Sequence, residues 1–237
     1  MRIEETDISL YQAKQQRVSF EHSDMENESE WDRGSVLPYL DRNHAGFKTI
    51  NITLLVKGNT REDIIGNCSS LLSLLLEPVE LTLDGFCHKY TAVLMSHREN
   101  ETVMERWHLL ELTFQGYEHG ESTITTVSRQ TSFIVANGGN VRSPCIVEIT
   151  PLMGAASLTL TGICRDSFTG EDLPVEIRDL VTGKTVTLDG VTGLITQEGE
   201  PKEVDAWALP SLIPGNNPIT CNNEYMTIKV TVIPIFL

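Results

Sequence analysis

Residues 61–95 read REDIIGNCSSLLSLLLEPVELTLDGFCHKYTAVLM, in which a helix-like segment leads directly into a strand-turn-strand segment. Thr60 precedes the first segment as an expected N-cap with Asp63 three residues later, and Pro78 ends it. Apolar residues recur in it every three or four positions, the period of a helix with one buried face. The residues expected on that face are Ile64, Ile65, Cys68, Leu71, Leu72 and Leu75. The sequence therefore predicts one amphipathic helix followed by a hairpin.

The hairpin consists of two strand-like runs joined by Asp84 and Gly85. Both residue types tolerate positive φ, so we expect a type I′ turn. Nearly the same letters recur as VTLDGV at 186–191. The first copy follows a helix, the second lies among strands, and the flanking sequences do not align. We interpret them as two unrelated hairpins that both use Asp-Gly.

Two further segments of the N-terminal half alternate apolar and polar residues with a period of two, which indicates half-buried strands. In KTINITLLVKG the apolar positions are Ile50, Ile52, Leu54 and Val56. In RWHLLELTFQGY the residues expected on one face are His108, Leu110, Leu112 and Phe114. The N-terminal half is therefore predicted to be α+β, with strands around a single helix.

The composition changes near residue 137 to ANGGNVRSP, where Gly138, Gly139 and Pro144 predict a connection between domains. Beyond it the chain contains short β runs, which are CIVEIT, ASLTLTGI, LPVEIRDL, GKTVTLDGVTGLITQEG and EYMTIKVTVIPIFL. Such closely spaced strands are typical of a sandwich or jelly roll. The length of 237 residues suffices for two cores, so we expect a mainly β protein with domains at 1–137 and 138–237.

The stretch LPSLIPGNNPI at 209–219 combines three prolines with turn-forming residues. The prolines interrupt a strand ladder, Gly215 permits a turn, and Asn216 and Asn217 can bond back to the main chain. We expect a rigid connector that delivers the final strand.

Residues 20–47 begin with six acidic residues and no basic one, and show neither helical nor strand periodicity. The acids are Glu21, Asp24, Glu26, Glu28, Glu30 and Asp32. The segment is therefore predicted to be a long loop or arm, and long loops in compact proteins tend to be functional or disordered. Its apolar residues suit interface anchors, and they are Trp31, Leu37, Tyr39 and Leu40. Two interpretations stay open, a solvated loop and an arm that grips a neighbouring subunit.

The chain carries 33 acidic and 18 basic residues, for a formal net charge of -15. A nucleic-acid binder would need the opposite sign, because Lys and Arg provide most of the affinity for phosphate. The N-terminus lacks the apolar run of a secretory signal, and no segment approaches the roughly 18 apolar residues of a membrane span. We therefore expect that the protein does not bind nucleic acid specifically, does not insert into a membrane and is made in a cytoplasm.

The five cysteines are an odd number, widely spread and without a C-x-x-C pair. This pattern favours small buried hydrophobic residues in a reducing compartment over a disulfide framework or a zinc site.

No catalytic motif emerges from the sequence. TGKT at 182–185 lacks the glycine that a phosphate loop needs five residues before Gly183, because position 178 is Arg, and it lies between strands. His108 and Glu111 are three residues apart, and on a strand they point to opposite faces. We expect no catalytic residue, metal site or cofactor. A carboxylate pair assembled from distant strands, as in a glycoside hydrolase, stays an alternative.

The succession of elements resembles the distal tail proteins (Dit) of long-tailed siphophages. A strand, a helix ending in LLSLLLEP, the hairpin VELTLDGFCHKYTAVL and the strand WHLLELTFQGYEHG are similar to their N-terminal domain. VTLDGVTGLITQEGE, then LPSLIPGNNPI and a closing strand, are similar to their C-terminal galectin-like sandwich. The resemblance covers essentially the whole chain and rests on the order of elements.

The resemblance implies an N-terminal β-sandwich with one helix, similar to tail-tube folds, followed by a galectin-like or jelly-roll sandwich. It also implies a structural, non-enzymatic protein of a phage or prophage virion, placed at the tail tip after synthesis in the bacterial host cytoplasm. Such a protein forms a homohexameric ring that joins the tail tube protein to the tail-associated hub protein and lets DNA pass. Some family members carry receptor-binding proteins on C-terminal insertions, for which little room follows Gly138. The alternative from another class is a carbohydrate-binding β-sandwich module or small glycosidase.

Overall fold

The computed structural model describes residues 1–22, 25–30, 39–101, 106–166 and 169–237, and of 25–30 and 39–45 only the backbone. The chain forms two compact units, Met1–His119 with Leu237, and Gly120–Phe236. Strands predominate in both units, and the described residues contain a single α-helix, so the predicted mainly β class is confirmed.

The first unit is built on one antiparallel sheet with the strand order β2-β1-β7-β8-β9-β6-β3, and β4 and β5 form a separate two-stranded ribbon. Its elements are β1 (Arg2–Ile3), β2 (Thr6–Asp7), a 3-10 helix (Ile8–Tyr11), β3 (Ala13–Glu21), β4 (Met25–Glu30), β5 (Tyr39–Ala45), β6 (Lys48–Lys57), α1 (Arg61–Ser73), β7 (Val79–Thr82), β8 (Lys89–Glu101) and β9 (Trp107–His119). The two strands that were predicted from alternation, β6 and β9, are neighbours in the sheet, and their predicted apolar faces are buried.

Helix α1 begins as predicted, because Thr60 and Asp63 form a reciprocal capping box at its N-terminus. Its buried residues are Ile64, Cys68 and Leu71, and Leu75 is buried just beyond its end. Two residues that were predicted on the buried face are not fully buried: Leu72 is partly buried and Ile65 is 50% exposed. Each residue advances about 100° around a helix, so neighbours of the buried row lie at its margin.

The turn at Asp84 and Gly85 is not the predicted type I′ turn. Gly85 has a φ of +87°, whereas Asp84 is absent from the residues with positive φ, and a type I′ turn needs both. Thr82 pairs with Lys89, so the connection is six residues long. The side-chain amide of Gln15 accepts a hydrogen bond from the Asp84 N–H and donates one to its carbonyl, both at 3.0 Å. Contacts with a distant strand therefore set the conformation of Asp84.

The described part of the acidic segment 20–47 lies mostly in strands, so the prediction of a long loop is wrong there. Phe20 and Glu21 end β3, and β4 and β5 form an antiparallel ribbon that pairs Met25 with Ala45 and Glu30 with Tyr39. The sequence MENESE alternates Glu with Met25, Asn27 and Ser29, so neither set of alternate positions is apolar and no strand was predicted. Of the four predicted anchors, Trp31 and Leu37 lie outside the described residues, and Tyr39 and Leu40 begin β5.

The second unit is a sandwich of two antiparallel sheets, as expected. Its strands are β10 (Thr123–Ser128), β11 (Ser132–Asn137), β12 (Ser143–Pro151), β13 (Ala155–Arg165), β14 (Asp172–Leu180), β15 (Val186–Asp189), β16 (Ile195–Gln197), β17 (Glu200–Pro201), β18 (Ser211–Leu212), β19 (Gly215–Cys221), β20 (Met226–Val232) and β21 (Ile235–Phe236). One sheet has the order β10-β20-β12-β15-β16-β17 with β18 beside β12, and the other has the order β11-β19-β13-β14. Inward side chains of both sheets form one buried core, in which Val147, Leu160 and Val230 are fully buried.

The units divide between residues 119 and 120, whereas the sequence predicted a division between 137 and 138. β10 pairs with β20 and β11 pairs with β19, so both strands belong to the sandwich. The Gly-rich segment is a connection between β11 and β12, held by the buried Asn137. The Asn137 amide donates to the carbonyls of Val141 at 3.2 Å and Leu212 at 3.0 Å and accepts from the N–H of Gly139 at 2.9 Å. Gly138 and Gly139 therefore lie in a turn inside the second unit and not in a connection between domains.

The proline-rich stretch is also different from the predicted connector, because it contains β18 and most of β19. Pro218 lies within β19, opposite Ile134 of β11. On its other side β19 pairs with β13 only at Thr220 and Cys221, so Pro218 removes no ladder hydrogen bond there. Gly162 makes this arrangement possible, since a Cβ at that position would overlap the Pro218 carbonyl oxygen.

The two Asp-Gly hairpins are built differently, which supports their interpretation as unrelated. In the second, Asp189 accepts hydrogen bonds from the N–H groups of Val191 at 2.8 Å and Thr192 at 3.1 Å. Gly190 does not need positive φ but needs to lack a side chain, because a Cβ would overlap the Pro210 carbonyl oxygen. Gly85 needs positive φ and has open space around it.

Candidate interaction surfaces

His108 and Glu111, the two side chains that the sequence singled out as a possible metal or acid–base pair, are not brought together. His108 is buried on one face of β9, and Glu111 is exposed on the other, as predicted. The His108 Nδ1 pairs instead with the carboxylate of Glu99 from β8. Nothing local in the sequence marks this pair, because it depends on the register of two strands. Among the described residues, no group of three or more His, Cys, Asp or Glu side chains could hold a metal ion.

The TGKT segment is the turn between β14 and β15, and no helix follows it. Gly183 has a φ of +75°, and its N–H donates to the Pro151 carbonyl at 2.8 Å. That N–H is already satisfied within the sandwich, whereas a phosphate loop presents its N–H groups to the ligand.

All five cysteines are free. Four of them are buried as predicted, and burial raises the pKa of Cys145 to about 12 and those of Cys68 and Cys164 to about 11. Such thiols stay protonated and pack as small apolar groups. Cys87 differs from the prediction, because it is exposed in the loop between β7 and β8. In the same loop Leu83 is buried in the core, whereas Cys87 lies on its exposed side.

A buried ionic network closes one end of the first sheet. Lys48 is 7% exposed and pairs with the Glu118 carboxylate, which also contacts the His88 Nδ1 at 2.6 Å. Burial raises the pKa of Glu118, but the hydrogen bonds from Lys48 and His88 outweigh burial, so that the pKa is lowered overall. Beside this network, Lys89 pairs with Glu80 at 2.6 Å. The network fixes the start of β6 against the end of β9.

The second unit has a charged groove of about 1040 Å³ on its surface. Glu176 and Arg178 form an ion pair in it at 3.0 Å, and Lys202 donates to the Gln197 side chain at 3.0 Å. The groove is therefore lined mainly by charged side chains, of which Glu176 and Arg178 neutralise one another. The described residues that line the groove include no aromatic side chain, whereas ligand pockets are usually lined by apolar and aromatic groups.

None of the helices in the described residues is long and apolar enough to cross a membrane.

No family model and no curated protein sequence matches this chain. Among solved structures it is similar to the Dit protein of phage SPP1, whose structure is described as a paradigm of the hub adsorption apparatus in phages that infect Gram-positive bacteria. The two chains are 14% identical with a TM-score of 0.75, and the similarity covers 99% of this chain and 98% of that one.

The chain is also similar to baseplate structures of phage P2 in the activated conformation. With calcium, the TM-score is 0.52 at 9% identity, covering 96% of this chain and 92% of that one. With strontium, the TM-score is 0.50 at 10% identity, covering 95% and 92%. These likenesses show that this chain has the fold of phage hub and baseplate proteins across both units, which confirms the fold implied by the sequence resemblance.

Proposed function

We propose that this chain is a non-enzymatic structural protein of a phage or prophage tail tip. In this role it forms a hexameric ring that joins the tail tube protein to the tail-associated hub protein and lets DNA pass. The observation that carries the proposal is the similarity to phage SPP1 Dit, which extends over nearly the full length of both chains. A shared fold over two successive units is a more demanding match than one sandwich, because single sandwiches host many unrelated functions.

The net charge of -15 supports passage of DNA through such a ring. A basic lumen would bind phosphate and slow the DNA, whereas an acidic wall does not hold it.

The ribbon of β4 and β5 supports subunit association. Among the described strands it pairs only with itself, and an isolated two-stranded hairpin is marginally stable in water. A second surface would stabilise it, and we propose that this surface belongs to a neighbouring subunit or to the tube protein.

The decisive test is the oligomeric state of the purified full chain. We expect sixfold rings in negative-stain micrographs and a hexameric mass by light scattering. A strictly monomeric particle that binds sugars on a glycan array, with ordered sugar in the second unit, would establish the carbohydrate-binding alternative instead.

A second test addresses the ribbon. Limited proteolysis should cleave between residues 21 and 33 in isolated subunits and spare this segment in assembled tails. Deletion of 24–32 removes β4 and should give folded subunits that assemble poorly. A cleaner variant replaces 23–45 by Asn-Gly, which leaves a connection of six residues between the paired Glu21 and Thr49. Equal cleavage in both states, or wild-type assembly of the deletion variants, would make the ribbon a plain surface feature.

A further inference from the structure

The outward surface of α1 and the turn after it lacks charge over most of its length. The first helical turn contains Arg61, Glu62 and Asp63, but the run from Ile64 to Leu76 has no Asp, Glu, Lys or Arg. The exposed residues of this run, which we call the uncharged helix face, are Ile65, Gly66, Ser69, Ser70, Ser73 and Leu76. Solvated helix faces normally carry charged or strongly polar side chains, so this face is unusual in so acidic a chain.

The uncharged helix face combines large apolar side chains with a flat strip. Leu76 is 84% exposed and Ile65 is 50% exposed. Between them the exposed positions are glycine or serine, and the spacing of Gly66, Ser69 and Ser73 places these three in one row. A groove of about 670 Å³ runs beside this row. Gly66 and Ser70 contribute to one part of its wall, and Lys57, Glu62 and Asp63 contribute to another. The row itself thus carries no long side chains, whereas the groove beside it is bordered by charged ones.

Gly66 has no role that the subunit fold explains. Glycine inside a helix is destabilising relative to alanine. Gly66 does not have positive φ, and a Cβ at this position would meet no atom within 4 Å. Neither backbone strain nor packing in the subunit requires a glycine here. A missing side chain on an outward helix surface suits the close approach of another molecule.

We infer that the uncharged helix face is the surface on which a second copy of this chain docks. The inference rests on the proposed ring and specifies where its subunits meet. Each copy carries a formal charge of -15, so acidic surfaces of two copies repel one another when they approach. A face without charges avoids both this repulsion and the cost of burying an unpaired carboxylate. In a closed ring the contact is head-to-tail, so this face meets a different surface of the next copy.

The test compares substitutions on this face in the full chain, by sedimentation and by negative-stain micrographs. Ser69→Glu should convert rings to monomers, with a dissociation constant raised by at least about tenfold. Its thermal unfolding should match the wild type, because Ser69 is exposed and Glu is a good helix former. Gly66→Ala should raise the melting temperature of the dissociated subunit and weaken the ring. A glycine that served only the subunit fold would not give these two opposite effects.

Two controls accompany these variants. Ser69→Ala should keep the rings, and Thr182→Glu adds the same charge at an exposed turn of the second unit and should also keep them. If Ser69→Glu and Gly66→Ala both form rings as readily as the wild type, the inference is overturned and the proposed function still stands. A wild-type chain that stays monomeric at high concentration would overturn both.

Discussion

Ile64 and Ile65 are adjacent and chemically identical, yet the side chain of Ile64 is fully buried and that of Ile65 is 50% exposed. Ile64→Asp should therefore lower the free energy of unfolding by about 4 kcal/mol, because it places a carboxylate in a packed core. Ile65→Asp should change it by less than about 1 kcal/mol. Leu72→Asp should fall between the two, since Leu72 is partly buried. Urea denaturation checks this order, and equal effects of Ile64→Asp and Ile65→Asp would contradict the packing of α1.

The stability of the first unit should fall in acid because of Glu118. Its folded-state pKa is lowered, so its contribution is present above the unfolded-state pKa, near 4.5, and is lost as the pH falls through the folded-state pKa. We expect the urea midpoint to fall as the pH drops below 4.5, and Glu118→Gln to flatten that dependence.

At neutral pH, Glu118→Gln should cost about 3 kcal/mol, because the buried Lys48 loses its anionic partner. Adding Lys48→Met should recover part of this loss, since the unpaired charge is then gone. Strictly additive effects in this double-mutant cycle would show that the two side chains do not interact.

The glycines of the two Asp-Gly hairpins should respond differently to alanine. Gly85→Ala should cost about 1 kcal/mol, because only the positive φ opposes it and the space is open. Gly190→Ala should cost about 3 kcal/mol or more, since its Cβ would overlap the Pro210 carbonyl oxygen and lie 2.7 Å from that of Cys145. Thermal unfolding measures both, and a milder effect at Gly190 would be inconsistent with the close approach of these strands.

Asn217 should be far more sensitive to substitution than its neighbour Asn216. The buried Asn217 amide donates to the carbonyls of Ile213 at 2.9 Å and Gly215 at 3.1 Å and accepts from the Ile213 N–H at 3.1 Å. Asn217→Ala leaves these backbone groups unsatisfied and should cost about 2 kcal/mol. The exposed Asn216→Ala is the matched control and should cost less than about 0.5 kcal/mol. Similar losses in the two variants would argue against the Asn217 bonds.

The sequence by itself determined those parts of the fold that are encoded locally. Helix α1 was predictable from its capping residues and apolar period, and β6 and β9 from strict alternation, because one face of each element meets a core. The all-strand second half and the order of elements were likewise predictable, since each run carries its own β pattern and punctuation.

Only the tertiary structure decided the features that depend on pairing between distant residues. The sequence of β4 has no alternation of apolar and polar residues, so the ribbon of β4 and β5 was not predicted. Pro218 lies in a part of β19 that does not pair with β13, and Gly162 leaves room for the Pro218 carbonyl oxygen. The boundary between the units follows from the partners of β10 and β11 rather than from glycine punctuation. Lys48 and Glu118 are 70 residues apart and meet through strand register. Register is set by the packing of the whole sheet, so no local pattern in the sequence specifies such contacts.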